Sequence, residues 1–169
     1  MSVDRDGAPS SLTFLFQVIF CMQCEDFMFY IFHKLMHRVP YLYQNIHKLH
    51  HTHTETVSIS GEYAHPFEYF LTGVIPSGLS VILLGKHLHF CGILMYSMLR
   101  VFETVDSHSG YEFPWSPFRL LPMSNSARYH DFHHRHHSGG NYSSLFSVMD
   151  WVFGGNQEFI AEELKLKAN

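Results

Sequence analysis

Residues 33–51, HKLMHRVPYLYQNIHKLHH, decide how this chain is read. They set His33 four residues before His37 and end in the pattern His47-x-x-His50-His51. The same pattern returns downstream as His130-x-x-His133-His134. Spacings of three and four come back to one side of an α-helix, so each box is expected to present its imidazoles along one face. Histidines that merely face solvent need no such register, whereas a multi-histidine metal site does. Fifteen of 169 residues are histidine, and most fall in these short stretches.

Working outward, residues 11–32 (SLTFLFQVIFCMQCEDFMFYIF) are apolar except for Gln17, Gln23, Glu25 and Asp26. The stretch exceeds the roughly 20 residues a helix needs to cross a bilayer. Carboxylates at that depth are costly in lipid, so Glu25 and Asp26 are expected to face protein or the histidines. The polar start is not basic and no small-residue cleavage site follows, which argues against a cleaved signal peptide. A second apolar block, residues 67–105, is broken at Gly85-Lys86-His87. Its halves, 67–84 and 88–105, are expected to form an antiparallel hairpin that enters and leaves the membrane. The alternative is a buried hairpin of a soluble protein. Pro76 and Gly78 are better tolerated in a membrane helix.

One crossing followed by a hairpin puts every histidine box on the same face, together with His65 and His108. Lys34, Arg38, Lys48, Arg119, Arg128, Arg135, Lys165 and Lys167 fall on that face, against Arg5 and Lys86 on the other. The positive-inside rule then makes the histidine face cytosolic. Arg100, inside the second hairpin helix, is expected to snorkel or to pair with Glu103. Residues 110–128 carry three prolines and read as an irregular connection, and 157–169 as a short charged helix.

Composition excludes several classes. A net charge of −4 gives no basic field for nucleic acid. The three cysteines lie in apolar segments and form no disulfide framework, and Cys21-x-x-Cys24 lacks thioredoxin-like surroundings. Imidazole suits zinc, copper, iron and nickel. A structural zinc site takes four ligands and is usually cysteine-rich, so two metals with several imidazoles each fit the histidine count better. Iron is the metal whose oxygen chemistry would justify such a site at a membrane surface. Asp26, Glu55, Glu62, Asp106 and Asp131 are the nearby carboxylates able to orient the rings. His133-x-x-His136-His137 also satisfies the box pattern, and periodicity does not choose between the registers.

The set D-x-x-x-Y-x-x-H-K-x-x-H (Asp26 to His37), HKLHH (47–51), EYAHPFE (62–68), ETVDSHSGYEFPWS (103–116), HDFHH (130–134) and GNYSSLFSVMDWVFG (140–154) resembles the fatty acid hydroxylase superfamily. Within it the chain looks most like the sterol C4-methyl oxidases, and the EYAHP and ETVDSHSGY stretches point to that branch. The resemblance covers about residues 20–157. It implies an all-α fold: a membrane-embedded helical bundle under a cytosolic histidine-rich cap, built as a single domain over residues 1–169. It implies two iron ions held by His33, His37, His47, His50, His51, His130, His133 and His134, with His108 a further ligand and His65 a candidate. It selects the 130/133/134 register, leaving His136 and His137 outside, along with His53, His87 and His89. The implied reaction is O2-dependent, stepwise oxidation of a C4 methyl group of a sterol precursor. Electrons would come from NAD(P)H through cytochrome b5 and its reductase. Lys165 and Lys167 resemble a dilysine retrieval signal, in keeping with an endoplasmic reticulum membrane. Members usually have a further membrane segment before the first box, so the chain reads as N-terminally truncated. The alternatives are a di-iron hydroxylase of another lipid (fatty acyl, sphingoid or aldehyde) and a truncated non-catalytic homologue.

Overall fold

A computed structural model describes residues 7–136 and 140–168. Arg5, His137 and Asn169 lie outside the described residues. Among the described residues the fold is all-α, with no strand and one isolated bridge between Ser124 and Phe146.

Helix α1 runs Ser11–Arg38. It starts where the Ser10 hydroxyl accepts a bond from Thr13 N–H at 3.2 Å, and it stops where Pro40 forces Val39 into an extended conformation. At 1.5 Å per residue its 28 residues span about 42 Å. That exceeds the ~30 Å hydrocarbon layer, so its last turns, with His33 and His37, can stand clear of lipid. Its faces are inverted relative to a helix of a water-soluble protein. Gln17, Glu25, Asp26 and His33 are buried, whereas Leu12, Leu15, Phe16, Ile19, Phe27 and Ile31 are exposed. That is the pattern of a helix whose outer solvent is apolar.

After α2 (Pro40–Asn45) and the 3-10 turn His47–Thr52, a second 3-10 turn covers Ser58–Glu62. The apolar block then follows as α3 (Pro66–Tyr69), a π-turn (Phe70–Val74) and α4 (Ile75–Leu84). The turn Gly85–His87 reverses the chain into α5 (Phe90–Ser107). Gln17 Nε2 donates to the His87 carbonyl at 2.6 Å, tying this reversal to the early turns of α1. The reversal with Lys86 therefore lies at the end of the bundle opposite the histidines. Among the described residues two helices, Ser11–Arg38 and Pro66–His87, are long and apolar enough to cross a membrane. The expected return span, α5, is less apolar because it carries Arg100, Glu103 and Asp106.

Helix α1 packs against both α4 and α5 around Val18, Cys21, Met22, Leu88 and Tyr96. Glu25 faces protein as expected: it accepts from Arg100 Nε at 2.6 Å and from the Tyr96 hydroxyl at 2.6 Å. Arg100 also pairs with Glu103, so the guanidinium is held between two carboxylates rather than snorkelling. Beyond α5 the chain runs through the 3-10 turn Pro117–Leu120 into α6 (Ala127–His136), α7 (Val148–Phe153) and α8 (Gln157–Ala168). These helices cap the histidine end. All three cysteines are free.

Candidate metal centre

Among the described residues nine histidines gather in two groups, buried except for the half-buried His37: His33, His37, His47, His51 and His133 in one, His50, His108, His130 and His134 in the other. Within each group the candidate ligand atoms lie within 4.8 Å of one another. Helix α1 supplies His33 and His37, one turn apart. The 3-10 turn supplies His47, His50 and His51, the C-terminus of α5 supplies His108, and α6 supplies the rest.

One expectation is corrected. The boxes do not each present a single face. His47 and His51 join the first group and His50 the second, while His130 and His134 join the second and His133 the first. Successive residues of an α- or 3-10 helix point about 100–120° apart, so a His-His dipeptide straddles the boundary between two adjacent sites.

Five of the nine rings are oriented from behind. His33 Nδ1 donates to the Tyr142 carbonyl at 2.7 Å and His133 Nδ1 to the Gly140 carbonyl at 2.7 Å. His108 Nδ1 donates to the Thr104 carbonyl at 2.9 Å and His134 Nδ1 to the His53 carbonyl at 3.1 Å. His47 Nδ1 donates to Glu68 Oε1 at 2.7 Å. A proton fixed on Nδ1 leaves a lone pair on Nε2. Those lone pairs then converge. In the first group His37 Nε2 lies 2.7 Å from His47 Nε2 and 3.1 Å from His133 Nε2. In the second, His130 Nε2 lies 2.9 Å from His108 Nε2 and 3.1 Å from His134 Nε2. One proton cannot satisfy several converging acceptors, but a cation can. His33 Nε2 and His50 Nδ1 are buried with no hydrogen-bond partner. The residues present therefore fit two metal ions.

Electrostatics agree. Burial pushes His47 and His108 down to about 3, His50 to about 4 and His134 to about 2, and it lowers His51, His130 and His133 as well. The rings outside the apolar spans are thus neutral at physiological pH, the form a metal binds.

The carboxylates behave differently from the sequence expectation. Asp26 accepts from the backbone N–H of Leu145 and Phe146, at 2.8 and 3.2 Å, and so positions a loop rather than a ring. Asp131 bonds Thr56 and Arg135, Asp106 bonds Ser116, and Glu55 is exposed. The carboxylate that reaches a ring is Glu68, which the sequence reading did not single out. Its signal was a lone acid one turn into an apolar helix. Also missed was the loop 140–147, whose backbone carries the Gly140 and Tyr142 carbonyls. Asp150, fully buried, fastens that loop by accepting from Ser143 N–H at 2.7 Å and the Tyr129 hydroxyl at 3.0 Å. Gly140 (φ +97°) is required there, because a Cβ would strike the Gly155 carbonyl.

The remaining described histidines stand apart from both groups. His65 and His89 cap helices by accepting from the N–H two residues on, and His136 bonds the Phe132 carbonyl. Beside the two groups lies a cavity of about 390 Å³. His33, His47, His50, His108 and His130 line one end of it, and Glu25, Ser77 and Arg100 line the other.

The fatty acid hydroxylase family model matches residues 18–155. The chain is 43% identical over 145 residues to "Very-long-chain aldehyde decarbonylase GL1-8" of Oryza sativa subsp. indica, covering 85% of this chain and 53% of the relative. It is 40% identical over 145 residues to "Methylsterol monooxygenase 2-2" of Arabidopsis thaliana, with the same 85% and 53% coverage. Against "Methylsterol monooxygenase erg25A" of Aspergillus fumigatus it is 40% identical over 148 residues, covering 86% and 48%. The chain thus spans about half the length of the curated relatives it matches. No solved structure matches.

Proposed function

The chain belongs to the fatty acid hydroxylase family, and from that premise we propose that it is a membrane non-haem di-iron oxygenase that oxidises the C4 methyl group of sterol precursors. The observation that carries this reading is the division of nine histidines, all buried except the half-buried His37, into two groups whose ring nitrogens converge. Bound iron would supply O2 activation for attack on an unactivated C–H bond.

The chain's own residues would do the rest. His33, His37, His47, His51 and His133 would hold one ion, and His50, His108, His130 and His134 the other. The Tyr142, Gly140, Thr104 and His53 carbonyls and Glu68 would keep the rings aimed and their Nδ1 protonated. Burial would keep bulk water from the reacting carbon. The cavity, within the roughly 300–1,000 Å³ of small-molecule sites, would hold the substrate against the rings. Electrons would arrive from NAD(P)H through cytochrome b5 and its reductase. The setting would be the endoplasmic reticulum membrane, with the histidine cap in the cytosol. The EYAHP (62–66) and ETVDSHSGY (103–111) stretches support a sterol substrate.

A second reading has its own support, because relatives named aldehyde decarbonylases are 43% and 40% identical to the chain. On that reading the same centre acts on a long-chain aldehyde. Expression in cells lacking their own C4-methyl oxidase separates the two. Loss of accumulated 4-methyl sterols with wild type, but not with His133→Ala, supports the sterol reading. Unchanged sterols with altered aldehyde or hydrocarbon pools favour the second. No change in either, from a stable membrane-bound protein, points to a non-catalytic homologue.

A further inference from the structure

We propose that the cavity beside the histidines opens sideways into the bilayer, between the π-turn Phe70–Val74 and α5, with Gly73 and Val101 as the lips through which a sterol-sized apolar substrate enters. The proposal rests on the oxygenase reading above.

Residues that line a cavity and are also exposed mark its mouth. Val74 is 51% and Val101 59% exposed, and both line this cavity. They lie on the apolar helices, so this mouth faces lipid. The opposite end is closed by a self-satisfied polar floor. Arg100 Nε donates to Glu25, and the Tyr96 hydroxyl lies 2.6 Å from Glu25 Oε2 and 3.0 Å from Ser77 Oγ. With its charges already paired, that floor offers no counterion to a headgroup and halts an apolar ligand. Glu25 and His33 are eight residues apart on α1, about 12 Å of helix, which sets the depth between floor and histidines. A compact ring system suits that depth. Tyr69, also exposed, edges the cavity beside the π-turn, and the remaining exposed residue there, Glu62, is a carboxylate on the cap side, where a mouth suits water rather than a hydrocarbon.

The lip on the π-turn is kept open by its sequence. A Cβ at Gly73 would meet only the Tyr69 ring, at 3.8 Å, so the position is free of steric demand yet holds no side chain. The wider turn offsets the helix locally, and Thr72 Oγ1 donates to the Glu68 carbonyl at 2.9 Å.

The test uses the chain in lipid nanodiscs as wild type, Gly73→Leu, Val101→Trp, Glu62→Trp and Met98→Trp. Met98 is exposed on α5 but does not line the cavity. Gly73→Leu raises helix propensity and Val101 is outward-facing, so both lip variants should fold. One readout is turnover of a 4-methylsterol. The other is labelling of α1 between Glu25 and His33 by a diazirine-bearing 4-methylsterol, competed by the unlabelled sterol. Both lip variants are expected to lose about tenfold or more in kcat/KM, in line with the cost of altering a hydrophobic pocket. They should also lose the competed labelling, with metal content unchanged, with Met98→Trp at wild-type levels and with Glu62→Trp still labelled. If wild type turns over no sterol, competed labelling that both lip variants lose still supports the portal while the sterol reaction fails. Labelling that survives in both lip variants, or is blocked by Glu62→Trp instead, overturns it.

Discussion

Adjacent residues His50 and His51 turn their rings into different histidine groups, with planes 82° apart and centroids separated by 5.6 Å. His133 and His134 do the same at 89° and 5.9 Å. Each dipeptide thus stitches the two groups together, which would set two metal ions in one rigid frame. His50→Ala should empty the group built on His108, His130 and His134, leaving the other loaded. His51→Ala should do the reverse. Metal analysis of the two purified variants checks this, and equal losses at both groups would sink the division.

The contact between Glu68 and His47 carries its own prediction. Glu68→Gln keeps the size and an acceptor but loses the charge behind His47 Nδ1–H, whereas Glu68→Leu leaves that N–H unpaired in a buried site. Removing such a supporting partner typically costs about 10–100-fold in metal affinity. Chelator competition should therefore rank wild type above Gln and Gln above Leu. A Leu variant as retentive as wild type would show that Glu68 does not support the ring.

Asp150 should act at a distance, through the loop that presents the Gly140 and Tyr142 carbonyls to His133 and His33. Asp150→Ala removes two hydrogen bonds in a fully buried setting, at about 2–4 kcal/mol by the usual cost of unpaired buried donors. Thermal unfolding measures that cost. Metal loss should fall on the group containing His33 and His133, and even loss across both groups would mark Asp150 as a general stabiliser only.

The metal-free protein should be sensitive to acid. His47, His50, His108 and His134 have folded pKa values of about 3, 4, 3 and 2, pushed down by burial, against about 6.5 in an unfolded chain. Below pH 6.5 the unfolded state takes up protons that the folded state refuses. Stability from these rings is therefore fully present above about 6.5 and lost as pH falls toward 3, by up to ~1.4 kcal/mol per pH unit per ring. The Tm of chelator-treated protein should fall steadily from pH 7 to pH 4, and a flat profile would contradict the burial of these rings.

Much of this was legible in the sequence because it is periodic or costly. Buried carboxylates in an apolar run, a hairpin broken at Gly85-Lys86-His87, and histidines at helical spacing each announce a constraint. The split of each box was not legible, because spacing fixes direction around one helix but not which neighbour the side chain meets. The supporting shell was largely hidden as well. Four rings are held by backbone carbonyls, which every residue has, so only the fold reveals them. Asp26 looked like a ring partner yet bonds the backbone of Leu145 and Phe146, a contact across the whole chain that no local pattern encodes.

The most direct test is a count of iron per chain after anaerobic reconstitution with Fe(II), for wild type and for His130→Ala. Two separate histidine groups predict two irons in wild type and about one in the variant, by loss of a ligand from the second group alone. A single iron per chain in wild type, or an unchanged count in His130→Ala, would contradict the di-metal centre.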